Sequence, residues 1–86
     1  MSIEKTETQA VAREVVCEVQ KSDTEIIRIS TSEFKGIPYV DIRIFFKDEN
    51  SEEYRPTKKG LTVRQELLHA LAEGIFQADQ AVQEKQ

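Results

Sequence analysis

The residues best suited to chemistry in this 86-residue chain are aromatic and cationic side chains that interleave along residues 34–62. Aromatic rings stack on unpaired nucleobases, each stack contributing roughly 1–3 kcal/mol, and cations along the same path attract the phosphate backbone. The aromatic members are Phe34, Tyr39, Phe45, Phe46 and Tyr54, and the cationic members are Lys35, Arg43, Lys47, Arg55, Lys58 and Lys59. This mixture allows single-strand nucleic-acid binding without requiring it, because Phe on strands is usually core and surface Lys is usually only solvated.

The charge distribution favours a polyanionic partner although the net charge is -4. Residues 26–64 carry eight cations and six carboxylates, whereas residues 1–25 and 65–86 together carry four cations and ten carboxylates. The chain therefore has a locally basic strip between two acidic ends. Such strips attract polyanions, although they also occur on surfaces that have no such partner.

Residue types that support catalysis or metal binding are sparse. The chain has one histidine, His69, in a predicted helix, and one cysteine, Cys17, on the apolar side of a predicted strand. One Cys and one His cannot form a zinc site, and Gly36, Gly60 and Gly74 are too far apart to form a phosphate-binding loop. We therefore expect no enzyme activity, no cofactor and no metal.

The sequence also lacks the apolar core of a signal peptide and the ~20 apolar residues of a membrane span. An unpaired cysteine such as Cys17 is unfavourable in a secreted protein. We expect a soluble, intracellular protein with no membrane partner.

Hydrophobic periodicity predicts one α+β domain over residues 13–86, preceded by a flexible tail over residues 1–12. The first strand starts at Glu14, although residues 10–16 could also begin a helix, and a hairpin across Asp23 leads to a strand over 25–32. Residues 35–38 then break that strand. The next strand spans 39–47 and places Val40, Ile42 and Ile44 on its core face.

A solvated turn over residues 48–53 precedes a short basic edge segment over 54–61, which Pro56 and Gly60 interrupt. Thr62 is a favourable N-cap, so the pattern predicts a helix from Val63 onward. The apolar positions of this helix recur every three or four residues: Leu67, Leu68, Leu71, Ile75, Ala78 and Val82. A helix of roughly 20 residues is ~30 Å long, which is long for so small a sheet, so part of its apolar face is expected to meet a second copy.

An ordered set of short motifs resembles a known family. Phe34-Lys35-Gly36 precedes Val40-Asp41-Ile42-Arg43, and Arg55-Pro56 with Lys58-Lys59-Gly60-Leu61-Thr62 leads toward the helix. This order, over about residues 26–75, is similar to the core domain of the transcriptional coactivator positive cofactor four. The resemblance implies a curved, four-stranded antiparallel β-sheet followed by one long C-terminal α-helix (β-β-β-β-α), assembled as a homodimer.

The resemblance also implies the ligand and the residues that hold it. Homodimers of this family bind single-stranded DNA, or the parted strands of melted duplex, and RNA is the further candidate ligand. By motif position, the nucleic-acid-binding residues are Phe34, Lys35, Arg43, Phe46, Arg55, Lys58 and Lys59, with Phe46 standing where the family has a stacking tryptophan. We assign the dimer interface to Leu71, Ile75 and Ala78.

The short, acidic N-terminus lacks the Ser/Lys-rich arm of eukaryotic family members and favours a bacterial or viral relative. The expected location is the bacterial cytoplasm or nucleoid, or the host cell of a virus, and the nucleus if the chain is eukaryotic. The expected role is transcription regulation, replication or recombination, with transcription or replication proteins as further partners.

A protein-interaction adaptor that docks its partners through the long helix is the alternative function. Burial of Phe34 and Phe46 under the helix would favour the adaptor, whereas exposure of both rings would favour base stacking.

Overall fold

The structure, a computed structural model, describes residues 14–85 as four antiparallel strands and one helix. The strands are β1 (Glu14–Gln20), β2 (Glu25–Phe34), β3 (Ile37–Phe46) and β4 (Arg55–Arg64), and the helix is α1 (Gln65–Glu84). The strands form an open sheet in the order β1-β2-β3-β4. The predicted α+β fold and the first strand at Glu14 are confirmed, and the predicted tail over residues 1–12 lies outside the described residues.

Alternation along the strands gives the sheet two different faces. Val40 and Ile42 of β3 point toward α1, as predicted, and they define what we call the packed face. Asp41 and Arg43 point the other way and define the open face, which also carries Arg28 of β2, the cross-strand partner of Arg43.

The open face has a small covered region of its own near one end of the sheet. Ile26 and its cross-strand partner Phe45 are 3% and 8% exposed. The guanidinium of Arg28 lies 4.0 Å from the centroid of the Phe45 ring, and its Nε donates a 2.8 Å hydrogen bond to Glu18. A paired arginine thus covers apolar surface that α1, on the packed face, cannot reach.

The turn between β2 and β3 is shorter than the sequence predicted. Only Lys35 and Gly36 lie outside the strands, because Phe34 pairs with Ile37 and Glu33 pairs with Pro38. The predicted break after β2 therefore occurs at Lys35 and Gly36, whereas Ile37 and Pro38, which were predicted to belong to it, are part of β3. Pro38 precedes Tyr39, the first residue of β3 to pair with β4, so its missing donor falls near a strand end.

The predicted N-cap at Thr62 and helix start at Val63 are also wrong. β4 continues through Thr62 to Arg64, and α1 begins at Gln65 without a side-chain cap. The reason is tertiary: Thr62 Oγ1 donates a 2.7 Å hydrogen bond to Asp41 of β3, and Val63 pairs with Val40. These contacts hold as a strand a segment whose local sequence favours a cap.

The helix packs loosely on the sheet. It lies closest to β3 and β4, and none of its residues is buried. An apolar cavity of about 230 Å³ separates it from the packed face, lined on the helix side by Leu68, Leu71, Ala72 and Ile75. Over residues 14–85, no helix combines the length and the apolar content needed to cross a bilayer.

Gly60 is required for close approach of β4 to β3. A Cβ at this position would lie 2.5 Å from the Ile42 carbonyl oxygen and 2.8 Å from the Arg43 Cα. Both atoms belong to the backbone of the neighbouring strand, so neither can rotate away. Glycine has a low intrinsic preference for strands, but its missing side chain allows β4 to lie close to β3 at this point.

We predict that Gly60→Ala lowers the free energy of unfolding by about 1–3 kcal/mol, the usual cost of forcing extra atoms into a packed contact. Gly74→Ala in α1 is the matched control, because a Cβ there meets nothing within 4 Å. Since alanine is the better helix former, Gly74→Ala should stabilise the protein by up to about 1 kcal/mol. Urea unfolding at one protein concentration measures both, and equal effects of the two substitutions would contradict the close approach.

Candidate nucleic-acid interface

The β2–β3 turn presents an aromatic ring and a cation together. Phe34 ends β2 with 38% of its surface exposed, and the Lys35 ammonium lies 5.4 Å from the centroid of its ring. Lys35 and Gly36 have φ values of 53° and 79°, as in the type I′ turn that two-residue hairpins favour. A left-handed conformation costs a residue such as Lys roughly 1 kcal/mol. The backbone conformation at this position therefore disfavours lysine, although lysine is the residue present.

The centre of the open face is a hydrogen-bonded ion pair. Arg43 donates from Nε and Nη2 to the two carboxylate oxygens of Asp41, at 3.1 and 2.9 Å, and from Nη1 to the Thr57 carbonyl oxygen at 3.0 Å. The side chains of Asp41 and Arg43 are 5% and 22% exposed. The pKa of Arg43 is raised, first because of its hydrogen bond to Asp41, so the guanidinium is charged throughout the physiological pH range.

The same arginine holds an irregularity in β4 that carries two lysines. Between the pairs Arg43–Gly60 and Phe45–Pro56, a single residue of β3, Ile44, faces residues 57–59 of β4. Thr57 closes this bulge: its hydroxyl donates to the Ile44 carbonyl at 2.8 Å and accepts from the Lys59 amide at 3.1 Å.

Lys58 and Lys59, inside this bulge, are both exposed. Bulges redirect side chains at sheet edges, and this one sets the directions of two cations. The Thr57 hydroxyl and the Arg43 guanidinium are therefore the groups that position Lys58 and Lys59.

Phe46 and Arg55 are cross-strand partners at the far end of the sheet. Phe46 is 43% exposed and lines a shallow depression with Asp48 and Glu49. The ten-residue β3 separates Phe46 from the Phe34 turn, which at about 3.3 Å per residue is roughly 30 Å. Alternation also assigns Phe46 to the packed-face side and Phe34 to the open-face side.

The structure thus divides the seven predicted binding residues into three groups. One group is at the β2–β3 turn, the second is at the β4 bulge, and the third is at the far end of the sheet. The group at the turn is Phe34 and Lys35. The group at the bulge is Arg43, Lys58 and Lys59, and the group at the far end is Phe46 and Arg55.

Sequence reasoning missed the residues that hold the bulge. Asp41 was recognised as part of a motif but was given no role, and Thr57 was overlooked. Asp41 and Arg43 lie two apart on one strand, which puts them on the same face. That spacing could have indicated the ion pair, but no local signal indicates that Thr57 faces Ile44.

Two comparisons with known proteins, by family model and by solved structure, agree with each other. The family model for transcriptional coactivator p15 (PC4) matches residues 21–74. No curated protein matches. A PC4 homolog from Burkholderia pseudomallei matches in a tetragonal crystal form with 35% identity and a TM-score of 0.72, over 79% of this chain and 98% of that one. Its orthorhombic form matches with 32% identity and a TM-score of 0.71, over 86% and 95% of the two chains.

A more distant structure comes from a virus. The bacteriophage T5 homolog of the eukaryotic transcription coactivator PC4, implicated in recombination-dependent DNA replication, matches with 26% identity and a TM-score of 0.57. The match covers 85% of this chain and 80% of the phage protein. This chain is therefore similar in structure to proteins from a bacterium and from a bacteriophage.

We predict that Thr57→Val opens the bulge, because valine keeps the shape of threonine but loses the hydroxyl that bonds Ile44 and Lys59. The loss should lower the free energy of unfolding by about 1–2 kcal/mol. It should also speed hydrogen exchange at the Lys59 amide. Thr57→Ser keeps the hydroxyl and is the matched control, so its Lys59 amide should stay protected. If the Lys59 amide exchanges equally fast in the valine and serine variants, Thr57 does not close the bulge.

Proposed function

The chain belongs to the PC4 family of transcriptional coactivator p15, and we propose that it is a homodimeric protein that binds single-stranded DNA with little sequence preference. DNA as the ligand is supported by membership of a family of DNA-binding proteins. The preference for single strands and the dimer are supported by the geometry of this chain.

The observation that carries the proposal is the exposed Phe34 ring beside the Lys35 ammonium at the β2–β3 turn. A partly exposed ring can stack on a base only when the base is not already stacked and paired in a duplex. Neither Phe34 nor Phe46 is buried under α1, so the exposure favours base stacking over the adaptor function.

β4 supplies the electrostatic attraction. It carries four cations and no carboxylate, all four exposed: Arg55, Lys58, Lys59 and Arg64. Phosphates that follow this edge release counterions, which contributes affinity for every sequence. The acidic total of the chain does not oppose this binding strongly, because exposed charges beyond about 10 Å are largely screened at 0.1 M salt.

In the proposed mechanism, the phosphate backbone runs along β4 and contacts Lys58 and Lys59, while bases turn toward the sheet and stack on Phe34. Arg43 acts mainly as a positioning residue, because Asp41 and Thr57 already occupy three of its donors. Arg55 extends the cationic path. Phe46 is a weaker stacking site, since the neighbouring Asp48 and Glu49 repel phosphate.

The homodimer is supported by the thin core of the single chain. Among residues 14–85, the apolar side chains that are buried are Ile26, Val40 and Phe45. The apolar stripe of α1 stays largely exposed instead, with Ile75 58% and Val82 56% exposed. A second copy packed on Leu71, Ile75 and Ala78 would cover this surface and complete the core.

The cellular role we propose is in transcription or in replication and recombination. The phage T5 homolog is implicated in recombination-dependent DNA replication, and single strands also form when duplex melts for transcription. Both roles require a protein that binds unpaired bases with little sequence preference.

We predict that the protein binds thirty-base oligo-dT more tightly than a matched duplex, measured by fluorescence anisotropy, with oligo-U testing RNA. Equal affinity for single strand and duplex would falsify the single-strand claim. Replacing Lys58 and Lys59 together by Ala should weaken binding to every sequence. The log-log salt slope should fall by about 1.4, because each phosphate contact on a single strand contributes about 0.7.

The matched control for these lysines is the Lys21→Ala, Lys85→Ala double variant, which removes the same charge from the β1–β2 turn and from the C-cap of α1. It should leave the salt slope unchanged. A slope that falls equally in both double variants would mean that net charge, rather than the bulge, sets the affinity.

We predict a dimer in light scattering, with a mass twice the 9.9 kDa of the chain. Ala78→Glu should weaken dimerisation at least about tenfold, because burying an unpaired carboxylate costs well over the 1.4 kcal/mol that a tenfold change requires. Gln80→Glu adds the same charge on the opposite side of α1 and should stay dimeric. A monomeric wild-type protein, or equal effects of the two variants, would contradict this interface.

A further inference from the structure

Tyr39 lies on the open face close to the exposed Phe34. It pairs with Ser32 of β2 and with Arg64 of β4, and alternation puts it on the same side of the sheet as Asp41 and Arg43. Phe34 pairs with Ile37, so Tyr39 is its diagonal cross-strand neighbour, at a typical separation of about 7–8 Å. Two aromatic side chains therefore stand side by side at this end of the sheet.

Cations bracket this aromatic pair. Lys35 lies on the turn beside Phe34, and Arg64 lies directly across from Tyr39 at the end of β4. The side chain of Arg64 is 50% exposed, and its closest carboxylate oxygen, from Glu66, is 3.9 Å from Nε, beyond hydrogen-bonding distance. The guanidinium of Arg64 is thus less engaged than that of Arg43.

We propose that Tyr39 is a second base-stacking residue and that Arg64 binds the adjoining phosphate, so that Phe34 and Tyr39 hold two neighbouring bases at the β2–β3 end of the open face. This inference rests on the proposed single-strand binding and deepens it by naming a site. The ligand chemistry is two unpaired bases with their connecting phosphate. Stacking on a π face tolerates every base, so the site is not sequence specific.

The position of Tyr39 suits this role better than that of Phe46. Phe46 is roughly 30 Å from the Phe34 turn along β3 and lies on the packed-face side. Asp48 and Glu49 line the same depression as Phe46 and repel phosphate, whereas Arg64 is the cross-strand partner of Tyr39. A tyrosine ring also has a polar hydroxyl, which allows the half-buried exposure that Tyr39 shows.

Tyrosine fluorescence offers a direct test, because the chain has two tyrosines and no tryptophan. In Tyr54→Phe, all tyrosine emission comes from Tyr39, and in Tyr39→Phe it comes from Tyr54. Each variant is titrated with thirty-base oligo-dT and with an abasic strand that has the same phosphates but no bases. Emission is corrected for absorption by the strand.

Oligo-dT should quench Tyr39 in a saturable way, and the abasic strand should not, because quenching requires a stacked base. Tyr54 should respond to neither strand. The inference is overturned if Tyr39 keeps its emission when oligo-dT is bound, or if the abasic strand quenches it equally.

Affinity measurements complete the test. Tyr39→Ala should weaken oligo-dT binding about 5- to 150-fold, the loss of one stacked base, whereas Tyr39→Phe should bind like wild type. Arg64→Gln should lower the salt slope by about 0.7, and Tyr39→Ala should leave the slope unchanged because it removes no phosphate contact. Thermal melting of each variant identifies any loss of fold.

The outcomes separate the two proposals. If the wild-type protein binds oligo-dT no better than duplex, the proposed function fails. If it prefers oligo-dT but Tyr39→Ala binds as well as Tyr39→Phe, single-strand binding stands and the Tyr39 site is overturned.

Discussion

The buried carboxylate of Asp41 is the constraint on which the arrangement of β3 and β4 depends. It is 5% exposed and accepts hydrogen bonds from Arg43 on its own strand and from Thr62 on the next. A carboxylate at such burial is tolerated only when it is paired and hydrogen-bonded. Satisfying it fixes where β4 lies, keeps Thr62 in the strand, and orients the guanidinium that bonds Thr57. The position of the β4 bulge follows from that last contact.

The strands hold these positions although the sheet has little apolar core. The packed face meets a helix that leaves a cavity of about 230 Å³, and the open face is held by ion pairs and by an arginine lying over Phe45. Specific polar contacts therefore set the register where hydrophobic burial is thin. The second copy that we propose would complete this core, since small domains bury a smaller fraction of their surface than large ones do.

The sequence predicted those parts of the fold that depend on local pattern. The alternation of Val40 and Ile42 identified the packed face of β3, and the periodicity of α1 identified its apolar side. Predictions failed where a distant partner decides the local structure. Thr62 resembles an N-cap because nothing nearby indicates that Asp41, 21 residues earlier, will accept its hydroxyl. Gly60 resembles a strand breaker because the close approach of Ile42 is visible only once the strands pair.

The same division applies to the candidate site. Motif order predicted the residues of the basic edge, but it treated all the cations as equivalent. In the fold, Arg28 and Arg43 are each paired with a carboxylate, whereas Lys58 and Lys59 at the edge are exposed. Paired arginines contribute little net field, so the attraction for a polyanion comes mainly from the β4 edge. An acidic chain can therefore attract a polyanion along one edge of its sheet, while the paired arginines leave the centre of its open face close to neutral.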